Sequence, residues 1–244
     1  MRILLLWRSP ERRGDDLDPE RVARKLRQIF SPLFSRPPRA TIRQTPATTT
    51  VFLELPVRGW KPPFFEEDEQ TWALAVEYPI DTRMSLEATE IHVRLDTLLP
   101  TLCRSLEGDP TPLLRDMAPP FSLVWASKQT GETFVQNDGL GQAQLFEYQD
   151  DRFYALTNKI FALKALDIEL ELEPEEWATR FTLGRFPLDR TGYKRTRFLG
   201  PGTQVRLSSD GVTRTTHDVS MWRSKLAPAS YLRRSRHSCA SPRV

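Results

Sequence analysis

Between Phe121 and Gly211, short apolar runs alternate with turn signals in a fixed order, which commits this stretch to a sheet-rich fold. Phe121-Ser122-Leu123-Val124-Trp125 precedes a Thr130-Gly131 turn and a second strand that enters Asn137-Asp138-Gly139-Leu140-Gly141. Leu145-Phe146-Glu147-Tyr148 follows, then an acidic turn and the apolar segment Phe153 to Leu163. Glu173-Pro174-Glu175-Glu176-Trp177 opens a helix that carries Phe181 and ends at Gly184, with proline at the first helical position and glycine past the end. The run then passes through Arg190 to Gly202 and closes at an Asp210-Gly211 tight turn.

Upstream, Met1 to Trp7 reads as a buried strand bounded by Ser9-Pro10. Asp18-Pro19-Glu20-Arg21 predicts a helix N-terminus with Asp18 as cap, and Val22, Leu26, Ile29 and Phe30 repeat at helical spacing before Pro32. Ser35 to Pro46, rich in proline and arginine, reads as a surface connection. Strands are expected at Thr50 to Val57, Thr71 to Tyr78 and Glu90 to Leu95, with a loop at Trp60-Lys61-Pro62-Pro63 ending in the acidic cluster Glu66 to Glu69. A helix around Asp96 to Leu106 and a further helical turn from Pro112 to Asp116 lead to Pro119-Pro120. Many strands with a few interspersed helices favour an α+β architecture.

With 244 residues, 39% of them hydrophobic, the chain can form one large folded domain plus a tail. The net charge of +3 is uneven: Arg223 to Val244 holds six basic residues and no acidic one, leaving 29 basic and 32 acidic side chains in the other 222 residues. The body is therefore mildly acidic and gives no reason to expect nucleic acid as a partner. The division expected is a domain over 1–218 and a basic, disordered tail over 219–244. The opening apolar run is short and followed by Arg8, Arg12 and Arg13, which fits neither a signal peptide nor a membrane span. Two cysteines without ligand or disulfide spacing suit a cytoplasmic protein.

The order of segments resembles the back half of the glutamine amidotransferase domain of asparagine synthetase-related proteins. Asp138 and Gly141 match that family's Asp-x-x-Gly turn, and Leu145-Phe146 its Leu-Tyr-like pair. Ala155 to Leu163 is similar to its Ala-Ser-Glu-Ile-x-Ala-Leu segment but lacks the glutamate. Leu199-Gly200-Pro201-Gly202, leading into Thr203 to Leu207, is similar to its Leu-Pro-Pro-Gly turn and last strand, with Gly200 in place of the first proline. The resemblance covers about 90 residues, Phe121 to Gly211. It implies an Ntn-hydrolase-like four-layer sandwich, two antiparallel sheets between helices.

The resemblance also implies a terminal cysteine nucleophile whose own α-amino group is the base, yet this sequence reads Met1-Arg2-Ile3, and a guanidinium cannot attack an amide. Ser9 is the earliest hydroxyl; Cys103 falls within an expected helix as a small apolar packing residue, and Cys239 in the basic tail. The family's substrate-holding arginine segment and Asn-Gly oxyanion element have no counterpart at matching positions; Asn137-Asp138-Gly139 aligns with the structural turn. No phosphate-binding glycine loop for ATP is present. His92, His217 and His237 lack metal-site pairing. Glu66 to Glu69 as a cation site, and Lys194, Arg195 and Arg197 as an anion site, compete with plain solvated surface.

No catalytic, cofactor-binding or metal-binding residue is therefore assigned. The expectation is a degenerate amidotransferase-like domain acting as a scaffold or truncated remnant, with ATP and Mg entering only through a synthetase (ATP-pyrophosphatase) domain supplied by another protein. A glutamine-hydrolysing or ammonia-dependent amide-forming enzyme and a stand-alone small-ligand binding module are the alternatives. Homo-oligomerisation is compatible with either; neither a nucleic acid nor a membrane is expected as partner.

Overall fold

A computed structural model describes residues 1–8, 17–55, 64–77, 80–81, 99–187 and 189–217. The strand expected at Glu90 to Leu95, the Trp60 to Pro63 loop and the tail lie outside these residues. Ile3, Leu4, Leu5 and Leu6 of β1 (Arg2–Arg8) have no exposed surface, so this strand is covered on both faces, as its unbroken apolar run requires. Burying one such side chain stabilises the fold by roughly 1.5–3 kcal/mol.

In chain order, β1 leads to α1 (Pro19–Phe30), β2 (Arg39–Gln44), β3 (Thr49–Glu54), β4 (Phe65–Glu67), β5 (Thr71–Glu77) and β6 (Ile80–Asp81). Then come α2 (Leu99–Arg104), α3 (Thr111–Asp116), β7 (Met117–Ala118), β8 (Ser122–Ser127), β9 (Thr133–Asn137), β10 (Phe146–Gln149) and β11 (Tyr154–Thr157). The described part ends with α4 (Pro174–Leu183), β12 (Thr196–Phe198), β13 (Thr203–Leu207) and β14 (Val212–Thr216). A 3-10 segment, Ile160–Leu166, follows β11 and takes up the second half of the apolar stretch Phe153 to Leu163.

The strands form two six-stranded sheets, β12-β10-β11-β1-β3-β2 and β14-β13-β9-β8-β5-β4, with every described pairing antiparallel. Leu4, Leu6, Phe52 and Leu156 of the first sheet share one core with the second sheet and α2. The other face of the first sheet, through Ile3, Leu5, Val51 and Leu53, packs on Val22, Ala23, Leu26 and Phe30 of α1 and on Ala162, Leu163 and Leu166. Alternation along β1 thus sends odd residues to the helices and even residues between the sheets. The result is the four-layer, Ntn-hydrolase-like α+β sandwich.

Asp18 caps α1 as its sequence predicts, accepting from Glu20 N and Arg21 N at 3.1 Å each, a contact of about 1 kcal/mol. Two expectations fail. The stretch Ser35 to Pro46 holds β2, whose Ala40 and Ile42 lean on the helix-side core, and the acidic cluster begins inside β4. Both strands lie at sheet edges, where flanking prolines and charged side chains are tolerated because one backbone edge faces away from the ladder.

Candidate functional site

The even residues of β1 point between the sheets, so its first inward side chain, Arg2, sits at one mouth of the sandwich. The Arg2 Nη2 donates to Glu77 Oε2 at 2.7 Å, across from one sheet to the other, and its guanidinium lies 3.9 Å from the Phe64 ring centroid. Glu54, its cross-strand neighbour on β3, is buried and lies 3.7 Å from Arg39. Burial lowers the Arg2 pKa; Glu77 and then Glu54 oppose the shift, and a guanidinium so placed still keeps its proton.

Asn158 fixes the backbone beneath this side chain. Just beyond the end of β11, its Oδ1 accepts from Leu4 N at 2.8 Å and its Nδ2 donates to Arg2 O at 3.0 Å. A side-chain amide thereby extends the ladder by one place, and Thr157 Oγ1 adds a bond to Leu4 O at 2.5 Å. Opposite, Ser122 pairs in register with Glu77 on one side and Asn137 on the other. Its Oγ is buried and makes no hydrogen bond among the described residues.

Asn137 and Asp138 tie the far side of the mouth together. Asn137 Nδ2 donates to Leu199 O and Gly200 O at 3.0 and 3.2 Å. The Asp138 carboxylate accepts three backbone N–H groups, from Leu140 at 2.8 Å, Gln142 at 3.1 Å and Ala143 at 2.7 Å. Its carbonyl accepts from Gly141 N and Gly202 N. Gly141 has φ 65°, and a Cβ there would lie 3.1 Å from the Pro201 ring, so the Asp138 and Pro201-Gly202 turns interlock only around a glycine. Beside this knot lies a cleft of about 500 Å³ lined by Leu140, Gly141, Gln144, Asp189, Phe198, Leu199, Gly200 and Pro201.

At the other end of the sandwich a second polar cluster joins the sheets. Buried Glu147 accepts from Tyr154 Oη at 2.6 Å and from Arg214 Nε at 2.8 Å, and Arg197 lies 3.7 Å away. Burial, reinforced by Glu147, pushes the Tyr154 pKa well above the ordinary phenol range. Arg8 completes this end by donating to Ser208 O and Ser209 O at 3.0 and 2.8 Å. Neither cluster is legible as a contact in the sequence, although an acidic residue on an otherwise apolar strand is the signal that Glu147 offered.

The remaining candidates are dispersed. Cys103 is wholly buried on α2, and burial, with Glu107 adding to it, raises its thiol pKa well above the ordinary value, the opposite of nucleophile activation. In the acidic cluster, Glu66 accepts from Leu99 N at the start of α2, Glu67 pairs with Arg43 and Lys128, and Asp68 pairs with Arg104. Lys194 pairs with Glu171, while Arg197 faces Glu147, so these cations do not converge on an anion site. Among the described residues, no three His, Cys, Asp or Glu side chains group as a metal site. Ser9, Cys239, His92 and His237 lie outside the described residues.

No helix among the described residues is long and apolar enough to cross a membrane. No family model matches this chain, and no curated protein matches it. Among solved structures it is similar to a glutamine phosphoribosylpyrophosphate amidotransferase from B. subtilis complexed with ADP and GMP, with a TM-score of 0.50 and 10% identity. That match covers 88% of this chain and 49% of the other. A structure described as the allosteric regulatory enzyme of purine biosynthesis gives a TM-score of 0.48, again at 10% identity and the same coverage. The chain thus spans about half the length of each, and at this identity the likeness shows the fold alone.

Proposed function

We propose that this chain is a degenerate glutamine amidotransferase-like domain, related to those of asparagine synthetases, that serves as a scaffold rather than as a source of ammonia. The observation carrying this reading is Arg2. At the mouth where a terminal nucleophile would attack an amide, a protonated guanidinium stands on the Phe64 ring and is held by Glu77. Attack needs a lone pair on the nucleophile and a base to receive its proton, and arginine supplies neither. Cys103 on α2 is wholly buried within the core that α2 shares with the sheets.

ATP and Mg enter this reading through another protein, a synthetase of the ATP-pyrophosphatase type. What supports routing them through another protein is that the sequence has no phosphate-binding glycine run, and that among the described residues the Glu66 to Asp68 carboxylates are taken up by α2, Arg43, Lys128 and Arg104. A second reading, a stand-alone small-ligand module, is favoured by the cleft beside Pro201, whose volume is in the range of small-molecule sites.

The test is ammonia release from glutamine by the full chain. The expected result is no release above that of buffer; release that Cys103→Ser abolishes would overturn the scaffold reading. Affinity purification with detection of ATP-dependent pyrophosphate release in the co-purified fraction tests for the synthetase. Thermal stabilisation by a panel of amino acids, removed by Phe198→Ala, would instead support the ligand module.

A further inference from the structure

The cleft of about 500 Å³ beside the interlocked Asp138 and Pro201 turns has a single charged side chain in its lining. Leu140, Phe198, Leu199 and Pro201 supply apolar walls, and Gln144 and Asp189 supply the polar side chains. Sites that take small molecules combine apolar walls with a few fixed polar groups in this way. Gln144 and Asp189 are exposed and Phe198 is half-buried, so solutes can reach both the carboxylate and the ring.

Phe198 and Asp189 are both held in place. The Phe198 ring packs on Phe146 with centroids 4.9 Å apart, and its N–H donates to Asp189 O at 2.7 Å. Beside that bond Arg190 bridges Arg197 in antiparallel fashion, and Arg190 N donates to Pro187 O at 3.0 Å. The two arginines of this bridge turn to other carboxylates rather than to Asp189. Arg190 Nη1 donates to Glu176 Oε1 at 2.8 Å, and Arg197 Nε lies 3.7 Å from Glu147 Oε2. Among the described residues the Asp189 carboxylate has no hydrogen-bond or ion-pair partner. A fixed negative charge thus stands beside a fixed aromatic face with no described cation of the chain upon it.

We propose that this cleft binds a small organic cation, a primary ammonium on an apolar body, with Asp189 as its counter-charge and Phe198 as the face it rests on. The lining selects that class. A carboxylate ligand would meet Asp189 with like charge and find no basic side chain in the lining. An uncharged ligand would gain the apolar walls alone. An ammonium gains the ion pair and the attraction of the ring face, and it can also donate to the Gln144 amide oxygen. Because Asp189 is exposed, the ion pair favours the amine over an uncharged isostere by only about fivefold. This inference deepens the small-ligand reading and rests on it.

The test is an NMR titration of the isotope-labelled full chain with phenethylamine, phenethyl alcohol and phenylpropionate at neutral pH. The amides of Gly141, Phe198 and Gly200 should shift with the amine at roughly millimolar concentrations. The alcohol should bind about fivefold more weakly, and phenylpropionate more weakly still. Asp189→Asn should bring the amine down to the affinity of the alcohol and leave the alcohol unchanged, without altering the fold. Phe198→Ala should weaken both. Equal affinity for amine and alcohol, or an amine preference that survives Asp189→Asn, would overturn the cation assignment while the small-ligand reading stands. Titration of all three probes without shifts at these amides would overturn both.

Discussion

The Asp138 carboxylate has no exposed surface and accepts three backbone N–H groups from the turn that follows it. Asp138→Ala leaves those donors buried and unpaired, and is expected to lower unfolding free energy by about 3 kcal/mol in urea titration. Asp138→Asn keeps the shape but only one accepting oxygen, so a smaller loss is expected; equal losses would show that the second oxygen contributes nothing. Glu147 makes a different kind of contact, an inter-sheet one with Tyr154 and Arg214. Glu147→Leu strands a partly buried arginine and is expected to cost about 2–3 kcal/mol, whereas Glu147→Leu with Arg214→Leu should recover much of it. A double-mutant cycle reads the difference. The sequence marked Asp138 as a turn residue because Asp-x-x-Gly is local chemistry. It could not mark the Arg2–Glu77 pair, whose members are 75 residues apart.

Helix α4 buries none of its residues. A Cβ on Gly192 would lie 2.4 Å from the Trp177 ring, and the Gly192 carbonyl holds both the indole and the helix start. Gly192→Ala is therefore expected to loosen α4 without unfolding the sandwich. Amide exchange should rise by an order of magnitude or more across Pro174–Leu183 while β1 and β8 stay protected. Uniform acceleration across all elements would contradict this. Helices α1 and α4 were legible because capping and proline placement act within a few residues. The edge strands β2 and β4 were not, since Pro37, Pro38 and the acidic run argue locally for loops and only pairing with β3 and β5 makes them strands.

At the scale of the whole molecule, protonation should weaken the fold in two stages. Burial lowers the His217 pKa, with Asp109 opposing, and the imidazole Nε2 is buried without a hydrogen-bond partner. A folded-state value below the unfolded one means stability is full above about pH 6.5 and begins to fall below it. Glu67 is held low chiefly by its hydrogen bond to Lys128, and Asp167 by that to Lys25. Their contributions persist above the ordinary carboxylate range and are lost as pH falls through the depressed values. Both are partly solvated, so each contribution is small. Melting temperature against pH should show a shallow step below about pH 6.5 and a further decline below about pH 4.5. His217→Gln should remove only the first, and an unchanged profile would refute its assignment.

The amino-acid sequence determined the α+β class, the capped helices and the turn chemistry from Phe121 to Gly211, because periodicity, caps and Asp-Gly turns are properties of neighbouring residues. Only the tertiary structure decided what stands at the mouth between the sheets. Arg2, Phe64, Glu77, Ser122 and Asn158 meet there through antiparallel register and sheet stacking, which bring distant residues together without leaving a local pattern. The same holds for the exposed face of α4, whose periodicity describes a helix but not whether anything covers it.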